Sequence, residues 1–323
     1  MKIAIVGYGN LGRGVEAALT AAPDMEAVGI FTRRDPASVQ SATGLFVYSL
    51  NDLQSMAGQI DVVINCGGSA TDLPHSTPAL AEQFHVVDSF DTHAKILTHR
   101  ACVDAAARKG GKVAVISVGW DPGMFSLTRL YAQSILPKGK SYTFWGTGVS
   151  QGHSDAIRRI EGVADARQYT VPIETAMQQV KDGKMPQFGA ADMHERVCYV
   201  ALKDGADAAE IAQKIVTMPD YFAPYKTTVH FVSLEQLHRE HGGLPHGGTV
   251  IYAGRAATGS AHTIEYKLNL ESNPDFTGSI LVAYARAAYR LGQMGEVGCK
   301  TAFDIPPILL SPESPEDLYA HLL

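Results

Sequence analysis

The sequence predicts an α/β protein: a doubly wound parallel sheet over residues 1–120, followed by a second region of α+β character. Three observations predict it. Five short apolar runs recur before residue 120, separated by helix-length segments. A glycine-rich turn follows the first run directly. After Trp120 the texture changes, and an alternating strand appears at Thr263–Leu270.

The elements follow in order. Ile3–Val6 is a short apolar run that ends in glycine, and Leu11–Ala21 is helical and stops near Pro23. Glu26–Phe31, Asp61–Asn65, His85–Val87 and Val113–Ser117 are further runs. Such continuous apolar stretches fit strands covered on both faces. Segments between them, such as Thr92–Lys109, are long enough for crossover helices. Trp120-Asp121-Pro122-Gly123 then breaks the pattern. From Ser141 to Leu270 the chain looks mixed. In Thr263–Leu270, Ile264, Tyr266, Leu268 and Leu270 alternate with Glu265, Lys267 and Asn269, the period of a half-exposed antiparallel strand. Phe276–Met294 reads as a helix expected to pack back on the first region.

Composition narrows the class. The 323 residues are enough for about two domains of ~150 residues. With 46% hydrophobic and 19% charged residues, the chain is globular rather than disordered. A formal net charge of −6 argues against broad binding to nucleic-acid backbones, though not against one anionic cofactor. The four cysteines, Cys66, Cys102, Cys198 and Cys299, form no C-x-x-C pair and no zinc spacing, so free thiols in a reducing cytoplasm are expected and no metal. Met1-Lys2 runs straight into Ile3–Val6, too short for the core of a signal peptide. No apolar run reaches the ~18–20 residues of a membrane span.

Gly7-Tyr8-Gly9-Asn10-Leu11-Gly12 is a G-x-G-x-x-G placed after a strand and opening a helix, which is the context of a Rossmann dinucleotide site. Gly7 permits the tight turn, Gly9 lets a pyrophosphate approach the backbone, and Gly12 lets helix and strand pack closely. The free N–H groups of the helix start face the phosphates. At the end of the second strand an NAD enzyme usually carries Asp or Glu for the ribose 2′-hydroxyl. Here Phe31-Thr32-Arg33-Arg34 stands instead, and two guanidinium groups suit a 2′-phosphate, so NADP is the expected cofactor. Asp35 follows and would serve the ribose hydroxyl only if the loop were shifted.

Two more loops fall at strand ends, Cys66–Asp72 and Asp88–His93, where ligands of such sheets bind. Ser69 and Thr71 are candidates to line the cofactor; the alternative is an ordinary turn and helix cap. Asp91, Trp120 and Asp121 also follow strands and are placed to face the nicotinamide. Two carboxylates near one point would hold an ammonium group, although Asp121 before Pro122 reads equally as a helix cap. Beyond Trp120, the stretches 143–146, 150–155, 244–248 and 273–276 each read as polar loops. His153 is an acid–base candidate by its ordinary pKa near neutrality.

Taken together, these motifs make the chain resemble the meso-diaminopimelate dehydrogenase family nearly end to end. The stretches that carry the resemblance are A-I-V-G-Y-G-N-L-G-R at 4–13, G-I-F-T-R-R at 29–34, G-S-A-T-D at 68–72, G-W-D-P-G-M-F-S at 119–126, T-F-W-G at 143–146, S-Q-G-H-S-D-A at 150–156, T-M-P-D-Y-F at 217–222, P-H-G-G at 245–248 and N-P-D-F-T at 273–277. The first is generic; G-W-D-P-G-M-F with S-Q-G-H-S-D-A is far more specific. The resemblance implies NADP-dependent oxidative deamination of meso-2,6-diaminopimelate at its D-centre to L-2-amino-6-oxopimelate plus ammonia. The reverse reaction leads toward lysine and peptidoglycan. A cytoplasmic homodimer is implied as well.

By motif, Asp91 and Asp121 resemble the carboxylates that receive the D-centre amine, and Trp120, Trp145, Gln151 and Gly152 would line that half. Thr170, Arg196, His246 and Asn273 resemble the groups that hold the distal L-centre. Ser69, Ala70, Thr71 and Asp72, with Pro122, Gly123, Met124 and Phe125, would join the glycine turn against the cofactor. The implied domains are 1–120 for the dinucleotide, with 275–323 packed back on it, and 121–274 for substrate and dimerisation. Two other functions compete. A homoserine- or saccharopine-type dehydrogenase would not need Arg196, Thr170 and Asn273 together. An NADP-sensing protein without chemistry would have no use for Asp91 and Asp121.

Overall fold

The computed structural model describes residues 1–323. They divide into two compact units, Met1–Leu127 with Pro274–Leu323, and Thr128–Asn273.

In the first unit the five apolar runs form strands. They are β1 (Lys2–Val6), β2 (Glu26–Thr32), β4 (Val62–Asn65), β5 (His85–Asp88) and β6 (Val113–Val115), with β3 (Val47–Ser49) at one edge. The strand Gly298–Lys300 closes the other edge, giving the order Gly298–Lys300, β6, β5, β4, β1, β2, β3. Every pairing is parallel. The two edge strands carry three residues each: Val47–Ser49 overlaps the short apolar run Leu45–Tyr48, and Gly298–Lys300 has no such run to mark it. β6 stops at Val115, short of the expected Ser117, whose φ of 56° is left-handed and leaves the ladder.

Alternate residues of each strand feed two separate cores. Ile3, Ile5, Val62, Ile64, Val113 and Val115 point to one face. Ala4, Val6, Val63, Val86, Ala114 and Ile116 point to the other. This is why the runs are apolar without alternation. Helix α1 (Asn10–Thr20) covers the first face through Val15 and Leu19. The long helix Asn273–Gln293 joins it with Leu281, Tyr284, Ala288 and Leu291, so the C-terminal segment belongs to this unit. A Cβ built on Gly278 would sit 2.5 Å from the Gly14 backbone, so glycine lets these two helices touch main chain to main chain. Helices α2 (Leu73–Ala81) and α3 (Ile96–Gly110) cover the second face through Ala81, Val103, Ala106 and Ala107. Helix α4 (Met124–Ile135) begins in this unit and ends in the next.

The second unit holds two sheets. β7 (Lys138–Trp145), β12 (His246–Arg255) and β13 (Ala261–Leu270) form one antiparallel sheet with β12 at its centre. β12 is buried from Gly247 to Gly254, while β13 alternates as the sequence predicts, with Glu265, Lys267 and Asn269 exposed. The other sheet runs β11-β10-β9-β8, from β8 (Gly148–Val149), β9 (Val163–Pro172), β10 (His194–Leu202) and β11 (Thr227–Phe231). Helices α5 (Gln151–Arg158) and α8 (Ala208–Val216) pack Ile157, Ile211 and Ile215 against Ala166, Cys198 and Val200. α6 (Glu174–Lys181) packs Ala176, Met177 and Val180 against Tyr142, Phe144, Ile251 and Ala253. α7 (Ala190–Met193) leads into β10, and α9 (Leu234–His241) completes the unit.

Four stretches expected to be loops are partly regular. Thr143–Trp145 ends β7, His246–Gly248 opens β12, and Gln151 and Asn273 begin helices. The correction has a physical reason. Gly248 pairs with Trp145 across the sheet, a partnership set by tertiary register that the glycine-rich local sequence does not announce. All four cysteines are free, and no helix is long and apolar enough to cross a membrane.

Candidate active site

The glycine turn has the geometry a dinucleotide needs. β1 ends at Val6, and Gly7 turns the chain with φ +87° while its N–H donates to Phe31 O at 2.9 Å. A Cβ on Gly12 would lie 2.4 Å from Gly7 O, so helix and turn close only with glycine. A Cβ on Gly9 would meet nothing within 4 Å, which leaves the main chain open to a ligand. No side chain caps the start of α1, so Asn10, Leu11 and Gly12 open the helix with N–H groups free for an anion. A cleft of about 330 Å³ adjoins the turn, lined by Gly7, Arg33, Asn65, Gly67, Thr71 and Asp72.

Arg33 lines that cleft, and Arg34 follows it beyond β2. Arg33 is largely exposed and donates to Asp72 at 2.8 Å. The Gly68 N–H and Arg33 together hold the Asp72 carboxyl below its usual range. Arg34 donates to the Tyr8 carbonyl, and Arg34 N donates to the Thr32 hydroxyl at 3.1 Å. Asp35 caps the next turn through Ala37 N at 3.1 Å. These groups fit a dinucleotide with a 2′-phosphate: open backbone donors for the pyrophosphate and two cations beyond β2.

One residue behind this site is missed by sequence reasoning. Glu16, 1% exposed, lies on α1 and accepts hydrogen bonds from the Tyr8 and Ser41 hydroxyls, from Thr43 N and Oγ1, and from Ala42 N. Burial would raise its carboxyl, but these donors outweigh burial and hold it at about 2. Its only signal in the sequence is a carboxylate next to the buried Val15, which is too common to read.

Two further loops leave the sheet beside this one. Asp91 is exposed, and its N–H donates to Ser69 Oγ at 2.8 Å, so the β4 and β5 loops are tied together. Trp120 is 8% exposed and stands edge-on to Phe125 with centroids 5.4 Å apart. Met124 N donates to Gly119 O and Phe125 N to Trp120 O, which folds residues 119–125 into a compact turn carrying Asp121, Pro122 and Gly123.

The second unit builds its polar group from cross-strand neighbours. Arg196 on β10 faces Thr170 on β9 and donates to its hydroxyl. Its guanidinium lies over the Tyr225 ring at 4.0 Å, and Nε has no partner. Thr170 pairs with Gly148, whose Cβ position is 2.7 Å from the His246 ring. Gly146 N donates to Gly247 O, which brings the end of β7 to the start of β12. Trp145, Thr170, Arg196 and His246 therefore share one neighbourhood. Asn273 N donates to Leu244 O at 3.0 Å, which joins it to the segment before His246. A cavity of about 620 Å³ opens beside His246, lined also by Thr147, Lys267, Asn269 and Glu271.

The histidines of this unit are shifted by burial. His153 is pushed down to about 4, first by burial and then by Arg196, and Ser150 Oγ lies 2.8 Å from its Nδ1. It has lost the near-neutral pKa that made it an acid–base candidate. His194, which no motif singles out, accepts from Trp145 N at 2.9 Å through Nε2 and donates from Nδ1 to Ala190 O at 3.1 Å. Its ring stacks on Trp145 at 5.4 Å, so it fixes both the backbone and the indole. Gln151 and Gly152 are exposed on the first turn of α5.

The comparisons with known proteins agree over the whole chain. The model of the diaminopimelic acid dehydrogenase C-terminal domain matches residues 119–272. The meso-diaminopimelate D-dehydrogenase of Ureibacillus thermosphaericus is 58% identical over 323 residues, covering 100% of this chain and 99% of the relative. Among solved structures, a six-substitution variant of the Clostridium tetani E88 enzyme with DAP is similar at TM-score 0.94 and 49% identity, covering 100% of this chain and 99% of that one. An engineered D-amino acid dehydrogenase bound to NADP+ gives TM-score 0.87 and 43% identity, again covering 100% and 99%. With 58% identity to a curated relative over the full chain and a family model matched over residues 119–272, the chain belongs to the meso-diaminopimelate D-dehydrogenase family.

Proposed function

We propose that this chain oxidises meso-2,6-diaminopimelate at its D-centre with NADP, releasing ammonia and L-2-amino-6-oxopimelate, and runs the reverse reductive amination toward lysine and peptidoglycan precursors. The observation that carries the reading is Arg196. It is a cation only 8% exposed, and the groups facing it are Thr170, Tyr225 and Cys198 rather than a carboxylate. Burial pulls its pKa down, and an unpaired buried charge is costly. A ligand carboxylate is the natural partner, and a guanidinium can grip it with two parallel hydrogen bonds.

Each residue then has a task. Arg196, Thr170, His246 and Asn273 hold the distal L-centre. A substrate whose two ends have the same composition must be oriented from its far end, and that binding free energy also places the reacting carbon. Asp91 and Asp121 receive the D-centre amine, with Trp120, Trp145, Gln151 and Gly152 around it. One of the two aspartates, or a water, takes the ammonium proton so that the nitrogen lone pair is available. NADP+ supplies the hydride acceptor when bound. Gly7–Gly12 and Ser69–Asp72 hold its pyrophosphate side, Thr32, Arg33 and Arg34 its 2′-phosphate, and Pro122–Phe125 line the nicotinamide end. Water then adds to the iminium carbon and ammonia leaves. The protein works as a cytoplasmic homodimer whose interface lies on the second unit.

The test is NADP reduction with meso-, LL- and DD-diaminopimelate in separate assays. Reduction with the meso isomer and little with LL is expected. No reduction with the meso isomer under alkaline conditions overturns the assignment.

A further inference from the structure

A fully buried carboxylate that the reaction does not use lies beneath the loops that carry the reacting groups. Asp88, the last residue of β5, is 0% exposed. One of its oxygens, Oδ1, accepts from Phe90 N and from Ser117 N, both at 3.0 Å. The other, Oδ2, accepts from the Thr77 hydroxyl at 2.7 Å and lies 2.9 Å from His99 Nε2. Its main-chain oxygen accepts from Val118 N at 3.2 Å. Thr77 comes from α2 and His99 from α3, and His99 stacks on Phe90 with centroids 4.2 Å apart.

The network continues to the next strand. Asn65, the last residue of β4 and 1% exposed, donates to Thr77 Oγ1 at 3.1 Å and to Ser76 Oγ at 2.8 Å. Its amide oxygen accepts from Gly67 N at 3.3 Å. Three adjacent strands thus end on one buried polar net, and each leads into a ligand loop. The loop after β4 carries Ser69–Asp72, the loop after β5 carries Asp91, and the loop after β6 carries Trp120 and Asp121. Asp91 N then returns to Ser69 Oγ.

We infer that Asp88 is a positioning residue for the reaction: it fixes the Asp91 loop and the Trp120–Asp121 loop against each other, and so sets the spacing of the two carboxylates. Phe90 N is one residue before Asp91. Ser117 N starts the segment that reaches Trp120, and it does so from a left-handed conformation that a β-sheet ladder would not hold. Both N–H groups are buried and have left the sheet, so a buried acceptor must satisfy them or the loops shift to find water. A carboxylate can accept from both while its second oxygen anchors it to α2 and α3. Every Asp88 oxygen has a partner, so the carboxylate itself is held from four sides, while His99 Nδ1 and Ser117 Oγ at the margin of the net have none.

The inference rests on the proposed roles of Asp91 and Asp121, and the experiment separates the two. In full-length protein, Asp88→Ala, Asp88→Asn, Thr77→Val and Asp91→Asn are compared with wild type at 25 °C. The readouts are kcat with meso-diaminopimelate, the NADPH dissociation constant by nicotinamide fluorescence, and the midpoint of thermal unfolding. Displacement of reacting groups by about 1 Å costs ~100-fold, so Asp88→Ala is expected to lower kcat by about 10–100-fold. NADPH affinity should stay within about threefold, because Gly7–Gly12 and the arginines are untouched. Asp88→Asn should recover most of kcat, since its amide oxygen still accepts from Phe90 N and Ser117 N. Thr77→Val should lower kcat about threefold, the effect of losing one hydrogen bond of four.

Wild-type kcat in folded Asp88→Ala, equal loss in Asn and Ala, or a matching collapse of NADPH affinity would overturn the inference. If Asp88→Ala does not fold, Thr77→Val decides, and an unchanged kcat there is equally fatal. An inactive wild type, or a silent Asp91→Asn, sinks the underlying roles instead. Loss in Asp91→Asn with none in Asp88→Ala sinks only the positioning.

Discussion

The proposed nucleotide site in the first unit and the proposed distal site in the second unit are built by opposite means. The first works mainly through backbone. Gly7 and Gly12 admit the turn, and an uncapped helix start offers N–H groups. The second works through side chains. Arg196 and Thr170 meet across two strands, and His246 meets Gly148 from a third. Backbone recognition demands particular residues at fixed short spacing, and so it is written locally. Side-chain recognition demands only that register bring residues together, and register is a property of the whole sheet.

The largest expected effect tests the side-chain half. Arg196→Ala removes the buried cation proposed to hold the distal carboxylate. Truncating one partner of a buried charge pair costs about 2–5 kcal/mol, so the KM for meso-diaminopimelate should rise by about 30–4,000-fold. The NADP KM should hardly move, and the preference for the meso isomer over DD should blur. An unchanged substrate KM would make Arg196 a packing residue over Tyr225 and erase the contrast between the halves.

That contrast also accounts for what the sequence made legible. The five inner strands were readable because each feeds two cores, as Ile3 and Ile5 on one side and Ala4 and Val6 on the other show. The edge strands Val47–Ser49 and Gly298–Lys300 were not, because three residues are too few to carry a period. Gly7–Gly12 could be proposed as cofactor residues from their spacing, and Thr32–Arg34 from their place at the end of the second strand. Arg196, Thr170, His246 and Asn273 could not, since 26 residues separate the first two and only the antiparallel pairing of β9 with β10 joins them. They were reached through family resemblance. Glu16, Asp88 and His194 escaped even that, because each acts on another residue and none belongs to a motif. The expectation that 143–146 and 244–248 are loops failed for the same reason as the distal site: strand pairing between distant glycine-flanked segments overrode local propensity.

A second test sharpens the nucleotide half by dividing it. If the pyrophosphate is held by backbone and the 2′-phosphate by side chains, Arg33→Ala with Arg34→Ala should raise the NADP KM by about 10–30-fold while leaving the NAD KM within about twofold. The effect is smaller than for Arg196 because Arg33 is 72% exposed and screened by solvent and by Asp72. Equal changes for the two cofactors, in steady-state titrations at one fixed substrate concentration, would show that the arginines do not read the 2′-phosphate.

The smallest expected effect asks whether the backbone half is independent of side chains after all. Glu16 ties Tyr8, inside the glycine turn, to Ser41–Thr43 beyond the arginines, and Arg34 in turn bonds the Tyr8 carbonyl. The turn's shape is therefore set partly by one buried carboxylate. Its folded pKa of about 2 lies below the ordinary 4.5, so the carboxylate form is favoured by folding. The stability it contributes is fully present above about pH 4.5 and is lost as pH falls through that value toward 2. Glu16→Gln keeps the shape but removes the charge. Its unfolding free energy should be lower than wild type at pH 7 by on the order of 2 kcal/mol, with the gap closing between pH 4.5 and 2. NADPH affinity at pH 7 should fall about two- to fivefold as Tyr8 and the 41–43 segment loosen. Urea denaturation across pH 2–7 with parallel NADPH titration measures both. A pH-independent gap would mean that Glu16 contributes through packing and not through its charge. A full-strength NADPH site in Glu16→Gln would mean that the glycine turn holds its shape by backbone alone, which is the strongest form of the contrast between the two halves.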